Sequence, residues 1–186
     1  MAPRIAPKDL ADCDESTTKL LTGTLRSPDG QALNIFLTMA HHAPALRRFM
    51  ALGTELLLKG NLPPRERELL ILRTGWNCRS EYEWGQHVAI GRSAGLTDDE
   101  IRGIKDGPTG DGWSDRDAAL LRAADELHAD SVVGDATWGA LAALYDAQQL
   151  IEIVMLVGYY HLVAYFLNST GVEREPGVVG LSEPAR

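Results

Sequence analysis

Three residues near the middle of the chain have the types and spacing for proton transfer: Glu68, Glu83 and His87. Glu83 and His87 are four positions apart, so on a helix they share one face. A carboxylate beside an imidazole fixes its tautomer and raises its pKa, which suits a general acid or base. The same spacing also fits an ordinary surface contact worth a few tenths of a kcal/mol. Glu68 lies in the first half of a stretch whose following turns are strongly apolar. Its acid therefore points to solvent or faces an interior polar site. Tyr82 and Trp84 flank the Glu83–His87 face and could form an aromatic wall. The loop Gly75–Arg79 is short, which packs the two helices antiparallel and brings Glu68 within reach of His87.

The other reactive side chains read more plainly. Cys13 and Cys78 form no close-spaced pair, so neither a disulfide framework nor a zinc cluster is expected. His41 and His42 diverge by about 100° on a helix and suit joint chelation poorly. His161, among Tyr159, Tyr160 and Tyr165, reads as a core or interface histidine, and His128 as an exposed one. Glu68, Glu83 and His87 could ligate a metal, but no spacing demands it, and none is expected.

These residues need elements to hold them. Residues 1–33 carry prolines, acids and the turn Ser27-Pro28-Asp29-Gly30, and read as an arm, either disordered or docked on a neighbour. From Asn34 the pattern is helical, with Asn34 as N-cap of a short helix through His41. Pro44 opens a second helix, with Leu46, Phe49, Met50, Leu56 and Leu57 at roughly helical spacing, and Gly60 ends it. Pro63 and Pro64 open a third, running to about Trp76. Ser80 is the expected N-cap of the next, with Glu83 at the capping-box position and Gly95 as its terminating glycine. Thr97 caps a short helix with an acidic first turn. Ser114 or Asp115 opens a long helix to about Asp130, Asp135 caps another to near Tyr145, and the last runs from about Ala147 to Ser169. The tail from Gly171, with Pro176 and Pro184, reads as an extended arm. Val132-Val133 and Val178-Val179 are too short for strands. Glu68–Asn77 weakly echoes Glu152–His161, as a duplicated helix pair or by the chance likeness of buried helices. The class is all-α: about eight helices joined by short loops. Residues 34–172 form the helical domain, between the arm 1–33 and the tail 173–186.

The 186 residues suit one domain, and 45% hydrophobic content is ordinary for a globular protein. Acids outnumber bases 26 to 18, a net charge of −8, which argues against nucleic acid and against an anionic membrane surface as partners. The opening MAPRIAPKDLADCDES lacks the apolar segment of a secretory signal. The most apolar stretch, Leu150–Leu167, is interrupted by Glu152, Gly158 and His161, and a membrane helix needs about 18 apolar residues. No membrane partner is expected, and a cytoplasmic location is.

One resemblance sharpens this. The run Leu62–Cys78 (LPPRERELLILRTGWNC), then Glu81–His87 (EYEWGQH) and Gly95–Ile101 (GLTDDEI), resembles the carboxymuconolactone decarboxylase-like, or AhpD-like, family. Asn34-Ile-Phe with Pro44 upstream and Leu150–Asn168 downstream are similar too, so the likeness covers about 34–172. It implies an AhpD-like multi-helix bundle and a homo-oligomer, a trimer or hexamer. It puts Glu68 and His87 at the family's glutamate and histidine. Ser80 and Glu83 stand where the family's thiol peroxidases carry two cysteines, and a dithiol cycle needs both sulfurs. The implied function is a cofactor-free lyase of the decarboxylase branch, acting on a small carboxylated lactone or related catabolic intermediate. The enolate left by decarboxylation needs electrostatic stabilisation and then a proton. His87 would be the acid/base, with Glu68 orienting it or shuttling the proton, and Glu83 tuning it. Arg73, Arg65 or Arg67 would grip a substrate carboxylate, unless they form surface or intersubunit ion pairs. Two alternatives remain: a thiol-dependent oxidoreductase using Cys78, and a non-catalytic helical oligomer.

Overall fold

A computed structural model describes residues 2–24, 26, 30–110 and 112–182. Ser27, Pro28 and Asp29 of the expected turn, and Pro184 of the tail, lie outside the described residues. Among the described residues there are nine α-helices: α1 (Glu15–Thr22), α2 (Asn34–Met39), α3 (Ala43–Thr54), α4 (Pro64–Asn77), α5 (Glu81–Ser93), α6 (Asp98–Asp106), α7 (Asp115–Asp130), α8 (Asp135–Ala142) and α9 (Ala147–Thr170). The only extended pairing among them is an isolated bridge between Arg26 and Ala32. The molecule is therefore all-α.

Most helix starts follow from local caps. Ser114 accepts from the Asp117 amide at α7, and Thr97–Glu100 and Asp146–Gln149 form capping boxes at α6 and α9. Three starts differ from expectation. Gly134, not Asp135, is the N-cap of α8. Ser80 precedes α5 but makes no capping bond, and Glu83 is buried rather than folded back into a box. Leu33, not Asn34, is the N-cap of α2, and its apolar side chain cannot accept a hydrogen bond. There the Glu175 carboxylate, from the far end of the chain, accepts from the Asn34 amide at 2.7 Å.

The segment read as an N-terminal arm contains α1. Asp14 caps it by accepting from Thr17 N at 2.7 Å. Leu21 is fully buried in a cluster with Met39, Ala40 and Leu46. α3 ends in a π turn, Glu55–Lys59, before Gly60.

α4 lies at the centre. Leu69, Leu70, Ile71 and Leu72 are all 0% exposed, so the helix is covered on every side there. Leu70 and Ile71 join Leu120 and Ala124 of α7 and Ile153 and Val157 of α9 in the main core. Leu69 and Leu72 pack with Trp84 of α5 and Ile101 and Ile104 of α6 in a second cluster. α9 is long and apolar enough to cross a membrane by length and composition, yet more than half of its most apolar stretch is buried inside the protein.

The segment after Gly171 does not extend freely. It lies across α5, where a Cβ on Gly85 would run into the Val179 carbonyl and the Val178 side chain. The Leu181 amide donates to Glu81 at 2.8 Å.

Candidate active site

α5 divides its residues by face. Tyr82, Glu83, Gln86 and His87 line a cavity, whereas Trp84 and Val88 turn into the second core cluster. The cavity is about 250 Å³ and its walls come from α2, α3, the π turn, α5 and α9. The lining is mostly apolar, with Ile35, Phe49, Met50 and Leu57 prominent, and among the described residues it includes no lysine or arginine.

His87 and Glu68 meet as the loop between α4 and α5 implied. His87 Nδ1 is 2.7 Å from Glu68 Oε2, and Glu68 is fully buried. The other Glu68 oxygen accepts from Arg67 Nε at 3.4 Å. Tyr160 of α9 stands edge-on to the imidazole, ring centroids 5.0 Å apart. With Nδ1 held by the carboxylate, Nε2 is the ring nitrogen left to meet a ligand.

Glu83 is 1% exposed and, among the described residues, neither carboxyl oxygen has a hydrogen-bond partner. Desolvation holds its carboxyl well above the ordinary carboxylic range, which favours the neutral acid. An unpaired buried acid costs stability, and a cavity ligand with a polar atom would satisfy it. Tyr82 also faces the cavity, and its hydroxyl donates to Glu175 at 2.7 Å, while Gln86 donates to the other Glu175 oxygen. Burial, then the Glu175 carboxylate, raises the Tyr82 phenol above its ordinary value.

Several expected site residues lie elsewhere. Arg73 does not reach the cavity. It grips Asp125 with two bonds, at 2.6 and 3.0 Å, and donates to the carbonyls of Ile104 and Lys105. Arg65 pairs with Asp117 and Glu100, outside the cavity. Trp84 forms no aromatic wall; it packs against Trp76, with the Lys105 ammonium 5.1 Å above both rings. Cys78 caps the far end of α4 and does not line the cavity. Burial pushes its thiol up to about 12, so it is not a ready thiolate. His42 caps α3 by accepting from Ala45 N, and His41 Nε2 lies 3.1 Å from the Ala6 carbonyl. Tyr160, Gln86 and Glu175 were not singled out from sequence; no local spacing points to them.

Residues 43–126 match the model of the Carboxymuconolactone decarboxylase family. No curated protein matches the chain. Among solved structures, the chain is similar to the AhpD core of an uncharacterized peroxidase-related protein from Ralstonia eutropha JMP134. The two are 22% identical over 94% of this chain and 93% of that one, with a TM-score of 0.81. An uncharacterized peroxidase-related protein from Silicibacter sp. TM1040 is 17% identical over 96% and 95%, TM-score 0.77. The debrominase Bmp8, in complex with 2,3,4-tribromopyrrole, is 14% identical over 95% and 94%, TM-score 0.76. At these identities the likeness is one of fold, and the fold is AhpD-like.

Proposed function

Because residues 43–126 belong to the carboxymuconolactone decarboxylase family, we propose that this protein is a lyase-type proton-transfer enzyme acting on a small lactone or related carbonyl compound. One observation carries the reading: the buried Glu68–His87 pair, 2.7 Å apart, at the wall of an apolar cavity. Glu68 accepts the Nδ1 proton and so fixes the tautomer whose Nε2 exchanges a proton with the substrate. Glu83, as a neutral acid, donates a hydrogen bond to the oxygen on which enolate charge develops.

A substrate carboxylate in this cavity meets no guanidinium or ammonium among the lining residues. Leaving water for such a wall disfavours the anion, whereas CO₂ departs neutral. The electron pair of the broken carbon–carbon bond passes to the enolate, which is quenched by a proton that His87 Nε2, bare in this tautomer, has first taken up from solvent. This modifies the sequence-based expectation, since the arginine grip is replaced by an apolar wall and a neutral acid. The debrominase ligand, 2,3,4-tribromopyrrole, is a small apolar ring, and a cavity of this size and lining suits molecules of that kind.

A thiol mechanism has less support. Cys78 lies outside the cavity with a raised pKa, and Glu83 replaces the second cysteine of the thiol peroxidases that the sequence resembles. The test is the loss of γ-carboxymuconolactone followed by ultraviolet absorbance, with wild type, His87→Ala and Glu68→Gln in parallel. Removing the acid/base is expected to slow turnover by about 10²–10⁴-fold. Undiminished turnover in His87→Ala overturns the assignment. Peroxide reduction that alkylation of Cys78 abolishes would favour the thiol alternative instead.

A further inference from the structure

The end of α4 holds a second group of reactive side chains that the proton-transfer site does not use. Cys78 is the C-cap of α4, His128 lies in the last turn of α7, and His161 is in the middle of α9. Cys78 Sγ is 3.8 Å from His128 Nδ1, which is 2.9 Å from His161 Nε2. One donor atom from each of the three lies within 4.8 Å of the others.

His161 is oriented as a ligand would be. Its Nδ1 lies 2.8 Å from the Val157 carbonyl, which can only accept, so Nδ1 carries the proton. In the neutral ring Nε2 is then the bare nitrogen, turned toward Cys78 and His128. A carbonyl behind an imidazole is the usual outer support of a metal-bound histidine. Asn168 Nδ2 donates to the Cys78 carbonyl at 2.9 Å and ties that cap to α9. The nearby Asp125, one turn before His128, is held by Arg73 and Asn77.

We propose that Cys78, His128 and His161 form a three-ligand site for a borderline-soft divalent cation of the zinc type, with its fourth position open to solvent beside the exposed His128. One thiolate and two imidazoles favour such an ion over magnesium or calcium. Bonds of about 2.0–2.1 Å to nitrogen and 2.3 Å to sulfur, at tetrahedral angles, set donors about 3.3–3.6 Å apart, so small rotations of Cys78 and His128 close the set. Binding displaces the thiol proton to water. The proton of His128 moves from Nδ1 to Nε2 as Nδ1 takes the metal, so one proton leaves per cation. The bound ion would tie α4, α7 and α9 together at one point.

Titration of the full chain with Co²⁺ tests this independently of any catalytic assay. The expected result is one cation per chain, a thiolate-to-cobalt band in the near ultraviolet, visible bands of tetrahedral coordination, and displacement by Zn²⁺. His128→Ala, at an exposed position, should keep the native circular dichroism and weaken binding by at least about 10-fold. Cys78→Ser should lose the thiolate band. A wild-type spectrum without that band, or variants that bind as tightly as wild type, overturns the site.

Discussion

Glu83 sets the electrostatics of the cavity, because it is a buried acid with no hydrogen-bond partner among the described residues. Its folded-state pKa is raised above the ordinary value of 4.5 by desolvation. Below that value it is protonated in both states and adds no pH dependence. As pH climbs, the unfolded chain releases this proton while the folded chain keeps it, so stability falls toward the folded pKa. Glu83→Gln removes the titration. Its melting temperature is expected to match wild type near pH 4.5 and to exceed it at pH 8; parallel curves across that range would show that the acid is not neutral. Sequence spacing put Glu68 within reach of His87, as the structure has them, because the short α4–α5 loop fixes how the two helices meet. It misplaced Trp84 and Arg73, since a helix rotates about 100° per residue and neighbours in sequence point to different walls. Trp84, next to Glu83, faces the second core, and Arg73 turns toward Asp125.

At the scale of elements, Gly85 governs how the segment after Gly171 lies on α5. Only a residue without a side chain lets the Val179 carbonyl come so close. Gly85→Ala is expected to lift residues 177–181 and, through Glu175, to release Tyr82 and Gln86 from the cavity wall. Hydrogen exchange checks this: the Asn34 amide and residues 177–181 should exchange faster, while the α4 and α9 cores keep their protection. Exchange unchanged at Asn34 would mean that Glu175 keeps its partners when residues 177–181 lift. Helix boundaries were readable where a local cap precedes a clearly patterned helix, as at Thr97, Ser114 and the start of α9. The start of α2 was not, because its capping carboxylate is separated from it by 141 positions. The helix α1 was also missed, since its eight residues are mostly polar and only Thr17 and Leu21 are buried. The Cys78–His128–His161 group draws one residue from each of three helices, which no spacing motif describes.

Over the whole molecule, α9 plays two parts. One side is core, while Ile151, Met155, Gly158, Leu162 and Tyr165 remain exposed on the other. Their alternating steps of four and three residues have the spacing of a helix–helix seam. The homo-oligomer implied by the sequence resemblance is proposed to form along this seam. Sedimentation equilibrium should give a mass above that of one chain, and Leu162→Lys should lower it. A monomeric wild type at assay concentrations rejects the seam. Because the net charge is −8, copies repel one another, so association should strengthen as salt rises.

The grip of Glu175 on Asn34, Tyr82 and Gln86 also bears on when the cavity can exist. During synthesis, the first of its walls leaves the ribosome well over a hundred residues before the carboxylate that completes it. Until residue 175 arrives, α2 lacks its cap and Tyr82 its acceptor. Closing so long a loop is slow and entropically costly, so it follows the collapse of the helical core. Nascent chains stalled before that residue would carry the central helices but no competent pocket, and ligand binding would switch on only at the last stage of folding.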